Sequence, residues 1–101
     1  MFGDMEEKQK MLQQKLGQME VSASAGDGAV KVVATADRKI VNIAIDKAAI
    51  DLEDMEQLED ILLVAVNRAI ALAAEKETEE TQKLIQDMLP PGMGGLTDLF
   101  Q

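Results

Sequence analysis

Apolar positions along the chain change period twice, and each change marks an element. From about residue 4 to 19, Met5, Leu12, Leu16 and Met19 recur at helical spacing, with Lys, Gln and Glu between them. This predicts a helix with one narrow apolar stripe, built otherwise from good helix formers. Asp4 is the expected N-cap, and Glu6 and Glu7 fall in the first turn, where carboxylates suit the helix dipole. So narrow a stripe predicts a helix that needs a neighbour, and its methionines suit an adaptable contact.

From Glu20 the period becomes two. Val21, Ala23 and Ala25 alternate with Ser22 and Ser24, a short strand, and Gly26-Asp27-Gly28 then signals a tight turn. Residues 29–36 form the second predicted strand, with Val30, Val32, Ala34 and Ala36 on one face and Lys31, Val33 and Thr35 on the other. Asp37-Arg38-Lys39 is a second tight connection. Residues 40–45 form the third strand, with Val41, Ile43 and Ile45 expected inward. The three strands predict an antiparallel meander with one apolar face. Residues 46–50 leave it as an irregular or single-turn segment.

Residues 52–89 contain no Gly or Pro, and Pro90-Pro91-Gly92 closes the run. Asp51 with Asp54 three positions later resembles a capping box and predicts the helix start. Met55, Leu58, Leu62, Ala65, Ala69 and Leu72 follow a three-four spacing expected to face the sheet. Ile61, Val64, Val66, Ile70 and Ala73 widen the apolar surface well beyond the stripe of an ordinary surface helix. A helix of this length reaches about 57 Å at 1.5 Å per residue, more than so small a domain covers alone. The surplus predicts a second copy of the chain, with Ile61, Leu62, Ala65, Val66, Asn67, Ala69 and Ile70 as expected contacts. After Ala74 the pattern turns polar, and an apolar stripe resumes at Leu84, Ile85, Met88 and Leu89. Residues 91–101 read as a flexible Gly-rich tail. The fold class is therefore α+β: helix, three-stranded antiparallel meander, long helix, in a single domain over residues 1–101.

Composition removes most chemistry. The chain has no Cys, His, Trp or Tyr, and its only aromatics are Phe2 and Phe100. No disulfide, thiolate site or Cys nucleophile is available, and the usual general base and commonest metal ligand are missing. Ser22, Ser24 and the threonines have no His to activate them. No cofactor, no small-molecule substrate and no enzymatic activity are expected. No apolar run approaches a membrane span, and the N-terminus lacks a basic region followed by an apolar one, so a cytoplasmic protein is expected.

Charge sharpens the picture. The net charge is −9, but its distribution is uneven. Residues 21–50 carry four basic residues against three acids, and residues 51–101 carry three against twelve. Asp51, Glu53, Asp54, Glu56, Glu59 and Asp60 match no EF-hand spacing and read as a solvated helix start. Gly26-Asp27-Gly28 reads as a hairpin turn rather than a phosphate cradle. Asn67-Arg68 interrupts the apolar centre of the long helix. The plain reading puts both residues on its outer face; the sharper one has Asn67 fix register across a dimer. Lys8, Lys10 and Lys15, with Arg38 and Lys39, are the basic clusters. Solubilising charge is the simpler account, and contact with duplex phosphates from a two-fold dimer is the alternative.

With the element order in place, the chain resembles the YbaB/EbfC family of bacterial nucleoid-associated proteins. The resemblance covers nearly the whole sequence. Its matching stretches are Met1-Phe2-Gly3 with the Met/Gln/Lys-rich helix, Gly26-Asp27-Gly28-Ala29-Val30-Lys31-Val32, Val41-Asn42-Ile43-Ala44-Ile45-Asp46, Leu58-Glu59-Asp60-Ile61-Leu62, Ala65-Val66-Asn67-Arg68-Ala69 and Met88-Leu89-Pro90-Pro91-Gly92. The resemblance implies an intertwined, tweezer-shaped homodimer that binds duplex DNA with little sequence preference and serves nucleoid organisation or gene regulation. It also implies DNA contacts at basic positions near projecting helix ends. Lys8, Lys10 and Lys15 fall in the matching first helix, and Lys76 and Lys83 in the distal second helix. Lys76 lies among Glu75, Glu77, Glu79 and Glu80, a departure from the family pattern, and Lys47 stands where the family commonly has Pro. The rival reading is an acidic dimeric protein-binding adaptor or assembly factor of the same fold without direct DNA binding.

Overall fold

The structure, a computed structural model, describes the backbone of residues 2–89 and the side chains of residues 5–89. Helix α1 (Phe2–Gln18) is followed by strands β1 (Glu20–Ala25), β2 (Val30–Thr35) and β3 (Lys39–Ile45). A 3-10 turn (Lys47–Ala49) and helix α2 (Met55–Met88) complete the order. The strands form an antiparallel meander in the order β1-β2-β3. The predicted α-β-β-β-α order is thus present. The predicted tail at residues 91–101 lies outside the described residues.

The β1–β2 turn shows why its sequence is glycine-rich. Gly26, Asp27 and Gly28 take positive φ of 65°, 55° and 88° in succession, a run that L side chains resist. A Cβ on Gly26 would also meet Ile61 Cγ2 at 2.9 Å, whereas one on Gly28 meets nothing within 4 Å. Gly26→Ala is therefore expected to cost about 2–3 kcal/mol and Gly28→Ala about 1 kcal/mol, from left-handed strain alone at the second site and added clash at the first. Chemical denaturation of the two variants checks the order; equal losses would show that Ile61 makes way freely.

α2 lies across β1 and β2. Ala65, Ala69 and Ala73 are fully buried at four-residue spacing, against Ala25, Val30, Val32 and Ala34 of the sheet. Three small residues in a row let the helix backbone come close to the strands. Leu58, Ile61, Leu62 and Val66 pack around this contact. Two expected sheet contacts are corrected: Met55 and Leu72 are exposed. Leu72 is one position from Ala73, which turns it about 100° around the helix and off the buried stripe. The helix also starts later than expected. Asp54 is the N-cap and accepts from the Gln57 N–H at 3.1 Å. Asp51 instead accepts from the Glu53 N–H at 3.0 Å in the preceding turn. Likewise α1 begins before Asp4, which lies within the helix rather than at its cap.

β3 departs furthest from expectation. Ile43 and Ile45 pair with Val32 and Val30, and directly paired residues of neighbouring strands share a face. They therefore lie on the core side of the sheet, yet α2 does not extend over them and they are exposed. A register shift between Val33 and Ala34 pairs Ile40 with Ala34 and leaves Val41 as the additional residue, 52% exposed. The expected inward strand is thus corrected: Ile43 and Ile45 take the core-side face but are only partly covered by this chain, and Val41 is the unpaired residue of the shift.

α1 is tied to the sheet at its C-terminal end. Leu16 is fully buried, and the Ala36 N–H donates to the carbonyls of Leu16 (3.1 Å) and Met19 (2.8 Å). Beyond Ala73, α2 has no sheet beneath it and runs antiparallel beside α1. The pair projects as an arm, and the molecule measures 60 × 27 × 16 Å with a radius of gyration of 18.3 Å. A compact chain of 100 residues has a radius of about 13 Å.

Candidate nucleic-acid interface

The arm brings together most of the basic residues singled out from sequence. Lys8, Lys10 and Lys15 lie on α1, Lys76 and Lys83 on the distal part of α2, and Arg38 and Lys39 at the β2–β3 turn. Five of the seven sit within ion-pair distance of an acid. Lys15 reaches Glu80 Oε1 at 3.0 Å, and Lys83 reaches Glu80 Oε2 at 3.1 Å and Glu79 at 3.5 Å. Lys76 faces Glu79 at 3.7 Å, Arg38 faces Glu77 at 3.3 Å, and Lys39 lies 3.8 Å from Asp37. Lys8 and Lys10 make no ion pair with any described side chain. Both are exposed.

Arg38 itself adopts φ 66°, so the turn that carries it is fixed in the left-handed region. Thr35 Oγ1 donates to Asp37 Oδ1, which orders the same turn. Two clefts run along the arm. One, of about 830 Å³, lies between Met5, Leu12, Leu84, Ile85 and Met88, with Lys8 and Lys10 at its rim. A smaller one, of about 310 Å³, is lined by Lys8, Lys15, Lys83, Glu80 and Asp87 with Met11, Leu12 and Leu84.

Glu80 is the residue that sequence reasoning missed. It lies in the polar run 75–81, which reads as solvated, yet it is 3% exposed. A signal was present: Glu80 continues the stripe Ala65, Ala69, Ala73 after seven residues and precedes Leu84 by four. Its two oxygens face the ammoniums of Lys15 and Lys83, one on each helix. The hydrogen bond from Lys15, and then the Lys83 ammonium 3.1 Å from Oε2, hold its carboxyl below the usual carboxylate range against the opposing push of burial. Hydrogen bonding and attraction to Glu80, with a lesser part from Glu79, hold the Lys83 ammonium above its ordinary value.

These shifts set a pH window. A lowered carboxyl contributes stability above its unfolded pKa and loses it as pH falls through the folded value; a raised ammonium does the reverse on the alkaline side. The stability difference between the native chain and Glu80→Gln is expected to be largest near neutrality. It should shrink below the ordinary Glu value of about 4.3 and again above the ordinary Lys value of about 10.4. Urea midpoints of both proteins across that range check this, and a difference independent of pH would contradict it.

Asn67 is exposed, whereas Arg68 reaches the edge strand β1, its Nη1 donating to the Ser24 carbonyl at 2.9 Å, so the outer-face reading is corrected for Arg68. Of the residues expected to meet a second copy, Ala65 and Ala69 are buried in the chain's own core. Ile61, Leu62 and Val66 are half-buried against it, and Asn67 and Ile70 are exposed. Among the described residues no three acidic side chains converge as a metal site, and no helix is long and apolar enough to cross a membrane.

A small sheet carrying a two-helix arm studded with paired and unpaired cations defines a binding protein of the α+β class. Comparison places it more closely. The model of the YbaB/EbfC DNA-binding family matches residues 1–88, and the chain belongs to that family. A nucleoid-associated protein of Moorella thermoacetica is 47% identical over 81 residues, covering 80% of this chain and 78% of the relative. One from Acetivibrio thermocellus is 40% identical over 96 residues, covering 95% and 80%. The crystal structure of an uncharacterized protein from Helicobacter pylori superposes with a TM-score of 0.73 at 21% identity, covering 83% of this chain and 88% of that one, a likeness of fold. The family is one of nucleoid-associated DNA-binding proteins, not of enzymes.

Proposed function

We propose that the chain acts as a homodimer that grips duplex DNA through its phosphates, with low sequence selectivity, and so contributes to nucleoid organisation or gene regulation. The observation that carries the DNA contact is the pair Lys8 and Lys10. They are the candidate cations without an ion pair to a described side chain, and they stand along the projecting part of α1. Contacts of this kind position a protein on the duplex without reading bases, which gives weak selectivity and strong salt dependence. The partly covered face of β3, with Ile40, Ile43 and Ile45, supports the dimer, and Leu63, Val64 and Ile70 add exposed apolar surface on α2. A second copy seated there would bury an edge strand that otherwise invites nonspecific pairing. Two copies would set two arms, and hence two Lys8–Lys10 pairs, on one assembly.

The experiment is an electrophoretic shift with duplex DNA across a salt series, on protein whose mass in solution is measured in parallel. Binding at low salt that fades steeply as salt rises is expected. A clean dimer that shifts no DNA at low salt would favour the adaptor reading. In that case the exposed acids of the arm, Glu75, Glu79 and Asp87, would meet a basic protein partner.

A further inference from the structure

We propose that Glu80 tunes the strength of the DNA contact: its buried carboxylate holds Lys15 and Lys83 as internal counter-ions, so that a phosphate reaching those ammoniums competes with an anion already fixed between the helices. The proposal rests on the DNA-binding reading above. Its ground is an asymmetry of exposure. The Lys15 and Lys83 side chains are 59% and 57% exposed, so solvent and ligands reach them, while the Glu80 side chain is 2% exposed. Glu79, by contrast, is 54% exposed and can turn aside when a phosphate approaches. Glu80 cannot do so without leaving the space between α1 and α2. The carboxylate also joins the two helices, Oε1 to α1 through Lys15 and Oε2 to α2 through Lys83.

The cations of the arm therefore fall into two groups. Lys8 and Lys10 are free to replace the ions condensed on DNA. Lys15 and Lys83 enter the same surface already neutralised, and their contribution to ion release is suppressed. Removing the charge of Glu80 while keeping its shape should add them to the contact.

The test is Glu80→Gln, folded state confirmed by circular dichroism, with DNA affinity measured against salt. The affinity at low salt is expected to rise, and the slope of log K against log salt to steepen by about 0.9 for each lysine recruited. A merely structural role would weaken binding instead. Glu59→Gln makes the same change in net charge on an exposed position of α2 away from the arm, and should leave the slope unaltered. Equal steepening in Glu59→Gln, or an unchanged slope in Glu80→Gln while the native protein binds, overturns the proposal. Lys83→Gln in the otherwise native chain provides an arm that does not depend on Glu80→Gln folding. Its slope should match the native one, and a loss of about 1.8, from two lysines per dimer at about 0.9 each, would overturn the proposal. Absence of binding by both the native protein and Glu80→Gln at every salt concentration sinks the DNA reading together with it.

Discussion

Exchanging Lys8 and Lys10 together for glutamate is expected to abolish binding to duplex DNA. In a dimer the two substitutions remove four cations and place four carboxylates where phosphates would lie. Four phosphate contacts give a salt slope of about −3.6, so a rise from 50 to 200 mM alone weakens the native complex about a hundredfold. Reversing the charges adds repulsion to that loss, and affinity at low salt should fall by more than about a hundredfold. Both side chains are exposed, so the melting temperature should stay within a few degrees of the native value. Titration of labelled duplex by fluorescence anisotropy measures the loss. Retained binding would move the contact to the β2–β3 turn, where Arg38 and Lys39 stand.

Exchanging Ile43 and Ile45 for glutamate is expected to turn the proposed dimer into a folded monomer. Full burial of an isoleucine contributes about 1.5–3 kcal/mol, but Ile43 and Ile45 are 43% and 39% exposed in the single chain, so the four side chains of a two-fold interface represent about 2–5 kcal/mol before the cost of association. Neither residue is needed by the core that α2 makes with β1 and β2, since both are already exposed in the single chain. The helix content should therefore persist while the mass halves. Analytical ultracentrifugation with circular dichroism separates the outcomes. A variant that remains dimeric would place the second copy on the α2 surface at Leu63, Val64 and Ile70 instead.

Much of the fold was legible because local and long-range preferences agree. Alternation in 20–25 and 29–36, three residues tolerant of positive φ at 26–28, and an unbroken helical run each point the same way. The failures have physical causes. Val41, Ile43 and Ile45 show the alternation of a covered strand, but periodicity reports which face is apolar and not what lies over it. The register shift beside Ala34, which replaces Val41 with Ile40, leaves no mark in a run of β-branched residues. The expected three-four spacing follows the buried stripe through Leu58, Leu62, Ala65 and Ala69 but leaves it at its ends, Met55 and Leu72, because the stripe continues through Ala73, whose apolar signal is weak. The site was half legible. The seven basic positions could be named from sequence, but their pairing could not, because Lys15 meets Glu80 only once α1 folds back along α2.

The alanine contact has a mechanical consequence. Ala65, Ala69 and Ala73 present no side chain long enough to interlock with the strands, so they form a smooth pivot rather than a toothed joint. The fifteen residues from Ala73 to Met88 extend about 22 Å from that pivot, and a tilt of about 10° would carry the tip about 4 Å. Side-chain volume at Ala69, on the sheet and not on the arm, would then set how widely the two tips of an assembly stand apart.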